Sequence, residues 1–127
     1  MDNMSNAVLL AIDLGTQSIR LTAFDRTGQK QWNWSALVDS QIQGDIFEQS
    51  TEQWGTLLLQ GLCEARLAGI RPKAIAAAGP LAGYVALDSE GHALCPAVMY
   101  TDRRSAPEAK FVEAIALVQP DDSGLRV

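Results

Sequence analysis

Apolar residues fall into runs whose spacing changes along the chain, and each change predicts an element. Val8, Leu9, Leu10, Ala11 and Ile12 are almost uninterrupted, the pattern of a strand buried on both faces. After a short polar turn, Ile19, Leu21, Ala23 and Phe24 resume strand character. Asp25-Arg-Thr-Gly28 reads as a second turn, and Lys30 to Leu37 alternates well enough for a third strand with Trp32 and Trp34 on one face. The three strands are expected to run antiparallel. Val38 to Glu48 is polar and lacks periodicity, which predicts a loop. Ser50-Thr-Glu-Gln53 is a capping box, in which the Ser hydroxyl and the Gln side chain satisfy free N–H groups at a helix start. Trp54, Leu57, Leu58, Leu62 and Ala65 then recur at helical spacing. Gly69 is placed to end that helix, and Pro72 forbids its return.

Beyond the helix, Lys73 to Ala78 is a run of small apolar residues suited to a parallel strand beside the first, and Gly79-Pro80 breaks it. Tyr84 to Leu87 and Ala97 to Tyr100 are two further short apolar runs, with Asp88-Ser-Glu-Gly91 as a turn between them. A second capping box, Ser105-Ala-Pro-Glu108, leads into Phe111, Val112, Ile115 and Ala116, and Pro120 ends that helix. Asp121 to Val127 carries no pattern. The order strand, strand, strand, helix, strand is that of a ribonuclease-H-like unit, so the fold class is α/β, a mixed sheet with flanking helices.

Composition narrows the function classes. A chain of 127 residues with 47% apolar and 20% charged residues fits one globular domain and argues against disorder. Its net charge of −5 and the absence of clustered cations beyond Arg103-Arg104 disfavour a nucleic-acid surface. No run approaches the ~18 apolar residues of a membrane span, and Met1 to Ala7 has no basic flank of the signal-peptide kind. The expectation is a cytoplasmic protein with no membrane partner. Cys63 and Cys95 lie far apart without a C-x-x-C or a histidine cluster, so both are read as reduced thiols. His92, the one histidine, sits in a polar turn with nothing nearby to hold it for catalysis.

Candidate chemistry concentrates in Ala11-Ile-Asp-Leu-Gly-Thr-Gln-Ser-Ile-Arg20. A carboxylate beside a buried apolar run is costly unless it is hydrogen-bonded, paired or facing a metal, and Asp13 stands there. Gly15 permits positive φ, while Gly15, Thr16, Gln17 and Ser18 offer backbone N–H groups and hydroxyls to an anion. Arg20 adds positive charge beside the same turn. The economical reading is a nucleotide phosphate held by the turn, with its Mg²⁺ answered by Asp13. An ordinary hairpin turn is the alternative.

This segment resembles the first phosphate motif of the actin-like ATPase superfamily. Two others narrow the resemblance to one family. Glu48-Gln-Ser-Thr-Glu-Gln-Trp54 is similar to the E-Q-x-x-x-x-W stretch of the FGGY carbohydrate kinases. Ala78-Gly-Pro-Leu-Ala-Gly83, Leu87-Asp88 and Pro96-Ala-Val-Met-Tyr-Thr-Asp-Arg-Arg104 resemble their A-G-Q-M-H-G, L-D and P-A-I-L-W-N-D-x-R block. Xylulokinase-like members match better than glycerol kinases.

The resemblance implies transfer of the γ-phosphate of ATP to a sugar hydroxyl, with a ketose such as xylulose as acceptor. It implies that Asp13 is the Mg²⁺-associated acid, that Gly15, Thr16, Gln17, Ser18 and Arg20 form the ATP-binding turn, and that Leu81, Ala82, Tyr100, Asp102 and Arg104 fall at sugar-side positions. Pro80 and Ala82 depart from Q-M-H-G and remove an amide and an imidazole, which puts the choice of sugar in doubt. For Leu81, Ala82 and Tyr100 simple packing stays open, and for Asp102 so does a helix-opening acid. The implied unit is the amino-terminal part of the first kinase lobe, residues 1–127, with the catalytic base and second lobe expected beyond residue 127. Residues 1–127 alone are expected to be inactive and, with apolar surface uncovered, to self-associate into a homo-oligomer. A non-catalytic module keeping only the phosphate hairpin is the alternative.

Overall fold

The computed structural model describes residues 9–118, with side chains through residue 115. Val8, Pro120 and the Asp121–Val127 tail lie outside the described residues. The elements are β1 (Leu9–Leu14), β2 (Ser18–Phe24), β3 (Lys30–Leu37), β4 (Ser40–Gln43), β5 (Ile46–Gln49), α1 (Thr51–Leu67), β6 (Ala74–Ala78), β7 (Ala97–Val98) and α2 (Ala106–Val118).

The principal sheet has the order β3-β2-β1-β6, antiparallel through the first three strands and parallel between β1 and β6. Strand pleating sorts its side chains. Leu10, Ile12 and Leu14 share one face with Ile19, Leu21 and Ala23 and with Trp32 and Trp34, and all eight join the core beneath α1. From the helix come Trp54, Leu57, Leu58, Leu62 and Ala65, the stripe expected from the sequence. Gly61 lets the two layers approach. A Cβ there would stand 2.7 Å from the Trp34 ring and 3.1 Å from Leu21 Cδ1.

Both ends of α1 follow local chemistry. Ser50 Oγ accepts from the Gln53 N–H at 3.2 Å. The reciprocal half of the expected capping box is replaced: the Gln53 amide bonds Asp39 instead, accepting from its N–H at 3.0 Å and donating to its carboxylate at 2.7 Å. At the far end Gly69, with φ of +79°, donates to the Arg66 carbonyl, and Ile70 donates to Ala65. That is a Schellman closure, and buried Ile70 supplies its hydrophobic contact.

Two expectations need correction. Val38 to Glu48 is mostly strand, a β4–β5 hairpin turned at Gly44 with φ of +58°, in which Ile42 faces Phe47. It belongs to a second sheet of order β4-β5-β7. β1 is fully buried only at Leu10, because α1 covers one face of the sheet and the other stays partly open.

The Asp25 turn is as expected: its carboxylate accepts from Thr27 Oγ1, Thr27 N–H and Gln29 N–H. The Thr27 hydroxyl bond leads in holding that carboxyl below the usual value. Phe111, Val112 and Ile115 of α2 are exposed, as are Leu59, Leu67 and Ile75.

Candidate functional site

Pleating also decides where the candidate acid points. Asp13 is odd in register with Leu10, Ile12 and Leu14, so it falls on the sheet face away from α1, directly opposite Arg20 on β2. Both side chains are open to solvent, 55% for Asp13 and 63% for Arg20, and their closest approach is 3.8 Å. Such a pair is loose, and its carboxylate has lone pairs to offer a ligand.

The turn beside it is built by inward-facing carbonyls. Gly15 N–H donates to the Ser18 carbonyl at 2.9 Å, the Gln17 carbonyl accepts from Val38 N–H at 3.0 Å, and the Thr16 carbonyl accepts from Gln49 Nε2 at 2.6 Å. Carbonyl and N–H of one trans peptide point in opposite directions. A Thr16 carbonyl drawn toward buried Gln49 therefore turns the Gln17 N–H the other way. Two details differ from the sequence reading. Gly15 does not take positive φ, and its N–H is already engaged; a Cβ there would stand 3.1 Å from the Ser18 carbonyl oxygen and press that carbonyl aside by a few tenths of an ångström. Ser18 is buried, which leaves Thr16 and exposed Gln17 at the tip.

Parallel pairing brings a second segment to the same end of the sheet. Asp13 is the register partner of Ala78, so Gly79-Pro80-Leu81-Ala82 leaves the carboxyl end of β6 beside the carboxyl end of β1. In open α/β sheets this is the edge outside which ligands bind. Leu81 is 85% exposed, and Ala82 holds φ of +55°, a left-handed conformation that a residue with a Cβ adopts at a cost. Tyr100 is also exposed, at 58%.

Asp102 and Arg104 are arranged otherwise. The Asp102 side chain is 4% exposed, and the Arg104 guanidinium grips it bidentately, Nε to Oδ1 at 2.8 Å and Nη2 to Oδ2 at 2.6 Å. Phe47 N–H on β5 donates to Oδ2 at 2.7 Å, and Arg104 N–H to Oδ1 at 3.1 Å. Arg104 Nη2 also donates to Glu48 Oε1 at 2.8 Å. The Arg104 bond, opposed by desolvation and reinforced by Phe47, holds the Asp102 carboxyl far below the usual range, and the same bond raises Arg104 above its ordinary value. The family resemblance implies sugar-side positions for both residues. The structure shows side chains engaged with each other and with β5.

Glu48 and Gln49 were not among the site residues expected from sequence, although the E-Q-x-x-x-x-W spacing contained the signal. Gln49 Oε1 accepts from the Trp54 indole at 3.0 Å, so the first and last members of Gln49-to-Trp54 touch. His92 stands near Asp88, with Nδ1 3.4 Å from Oδ2, so the turn does supply a carboxylate beside it. It lines a cavity of about 670 Å³ with Glu52, Leu87 and Cys95, on different residues from the Asp13 turn. Among the described residues no three His, Cys, Asp or Glu side chains gather as a metal cage. One exposed carboxylate suits a cation held chiefly by phosphate oxygens and water.

Comparison with known proteins bears on the family and the fold. Residues 8–120 match the N-terminal domain of the FGGY family of carbohydrate kinases. A xylulose kinase of Streptomyces coelicolor is 26% identical over 110 residues, 87% of this chain and 23% of that protein. The crystal structure of xylulose kinase from Rhodospirillum rubrum superposes with a TM-score of 0.79 at 22% identity, covering 84% of this chain and 23% of its own. Plasmodium falciparum glycerol kinase with ADP gives a TM-score of 0.77 at 17% identity, covering 84% and 23%. At these identities the structures establish the fold alone, one shared with these sugar kinases, and the chain spans 23% of the length of each of these relatives. With the family match running through nearly all of the described sheet and helices, the chain belongs to the FGGY family of carbohydrate kinases, in its N-terminal domain.

Proposed function

We propose that this chain is the amino-terminal part of the first lobe of an ATP-dependent sugar kinase, and that its β1–β2 turn holds the phosphates of Mg·ATP. The observation that carries the reading is the exposed, loosely paired Asp13 at the carboxyl end of β1, beside a turn whose carbonyls face inward. Mg²⁺, when bound, would supply charge neutralisation for the transferred phosphoryl group, and Asp13 is the side chain here that would answer it. Asp13 orients the Mg·ATP complex. Arg20 limits the net negative charge beside the incoming anion, and the Gln17 N–H with the Thr16 hydroxyl donates to phosphate oxygens.

The sugar side is formed by Leu81, Ala82 and Tyr100. Tyr100 supplies an aromatic wall with a polar tip, and the loop beginning at Gly79 reaches the same sheet edge as the turn. Asp102 and Arg104 act by holding that segment to β5 rather than by reading hydroxyls. A ketose such as xylulose is the favoured acceptor, supported by the xylulose kinase relative. The base that accepts the sugar's proton is not one of the described residues. A cytoplasmic setting belongs to the same proposal; among the described residues no helix is long and apolar enough to cross a membrane.

Residues 1–127 alone then bind Mg·ATP without turning over a sugar. Incubation with Mg·ATP and a panel of pentuloses, hexuloses and polyols, followed for ADP release, tests this. No sugar-dependent ADP is expected. Turnover that disappears in Asp13→Ala would show that the catalytic base lies within these residues.

A further inference from the structure

Gln49 ends β5 with no exposed surface, and its amide meets three other elements. Nε2 donates to the Thr16 carbonyl at 2.6 Å and to Ser40 Oγ at 2.9 Å, while Oε1 accepts from the Trp54 indole at 3.0 Å. An indole N–H can only donate. The amide oxygen must therefore face Trp54 and the nitrogen Thr16, which removes the usual ambiguity in placing an amide. The preceding residue, Glu48, faces the other side of the strand and receives Arg104, whose guanidinium grips Asp102. Two neighbours on one short strand thus reach the β1–β2 turn on one side and the Asp102–Arg104 segment on the other.

We propose that Gln49 is a positioning residue for the phosphate turn: it holds the Thr16–Gln17 peptide so that the Gln17 N–H faces outward, and β5 keeps the Tyr100–Arg104 segment in register with it through Glu48. The inference rests on the phosphate reading of the turn and deepens it. A planar trans peptide rotates as a unit, so freeing the Thr16 carbonyl frees the Gln17 amide. Methionine at position 49 would keep the length of the side chain and remove both donor bonds and the acceptor, leaving Thr16, Ser40 and Trp54 without that partner.

The test uses the isotope-labelled 127-residue chain titrated with Mg·ATP and followed by amide NMR, with unfolding midpoints measured alongside. Four proteins are compared: wild type, Gln49→Met, Trp54→Phe, and Leu62→Ala as a core truncation remote from the turn. The Gln17 amide should shift in wild type, and Gln49→Met should weaken affinity by roughly tenfold or more, the scale of a displaced contact. Trp54→Phe, which frees the amide oxygen of Gln49 while leaving its two donor bonds and trims one ring from the core, should weaken it by about threefold. Leu62→Ala should leave affinity unchanged although its midpoint falls. Unchanged affinity in Gln49→Met, or an equal loss in Leu62→Ala, overturns the proposal; if Gln49→Met does not fold, unchanged affinity in Trp54→Phe does so.

If wild type binds no nucleotide, the phosphate reading fails and amide hydrogen exchange decides the positioning claim separately. Exchange at Gln17 that changes selectively in Gln49→Met or Trp54→Phe supports it. Exchange that changes only in step with global stability, as in Leu62→Ala, overturns it.

Discussion

Two carboxylates of this chain each face an arginine, yet the pairs are opposite in kind. Asp13 and Arg20 are exposed and 3.8 Å apart at closest, across neighbouring strands. Asp102 is nearly covered and is bound by Arg104 through two contacts under 3 Å and by the Phe47 backbone. In water a loose surface pair contributes little and leaves its oxygens free; a covered, bidentate pair has its lone pairs occupied and fixes geometry. The presence of a charged residue in a family motif therefore does not by itself say whether it meets the ligand or builds the wall.

The largest expected effect lies at the open pair. Asp13→Asn should weaken Mg·ATP binding by roughly 10- to 100-fold, the scale of a lost charged interaction, while calorimetric unfolding stays near wild type. Equal binding by the variant would break the contrast on that side.

The covered pair should respond in stability and in its pH dependence. Asp102 has a folded-state pKa below the reference value of 3.8, with the Arg104 bond the leading cause. Its contribution is present in full above that reference value and is lost as pH falls below it toward the lower folded value. Asp102→Asn should lower stability at neutral pH by more than any change at Asp13 or Arg20. It should also flatten the acid limb of a denaturant midpoint plotted against pH. An unaltered limb would show that the lock is not an electrostatic contributor.

Arg20→Gln is the matched test on the open side, with a stability change within about 1 kcal/mol and nucleotide binding that weakens modestly and becomes less sensitive to salt. Smallest of all, Ala82→Gly should stabilise the fold by up to about 1 kcal/mol by relieving the left-handed backbone, read as a shift of the denaturant midpoint. A destabilisation would mean that the methyl group packs usefully there.

Much of the frame could be read from the chain because its cues are local. The alternation of Ile19, Leu21 and Ala23, the stripe from Trp54 to Ala65 and the Gly69 stop each need only neighbouring residues to act. The β4–β5 hairpin was hidden because Gln41-Ile-Gln43 and Ile46-Phe-Glu48 are too short and too polar to show alternation, although Gly44-Asp45 between them is a two-residue turn signal that could have found it. Its strands exist through pairing with each other and with β7. At the site, Asp13 was legible as an acid ending an apolar run. The burial of Asp102 and the Gln49 bond to the turn were not, since their partners at Phe47 and Thr16 lie 55 and 33 positions away.

The most direct test of the account is the amide NMR titration of the 127-residue chain with Mg·ATP beside the same titration of Asp13→Asn. Saturable shifts centred on Gly15 to Ser18 are expected in wild type, and their loss in the variant. Shifts that leave this turn untouched and gather instead around His92 and Cys95, or that persist unchanged without the Asp13 charge, would contradict it.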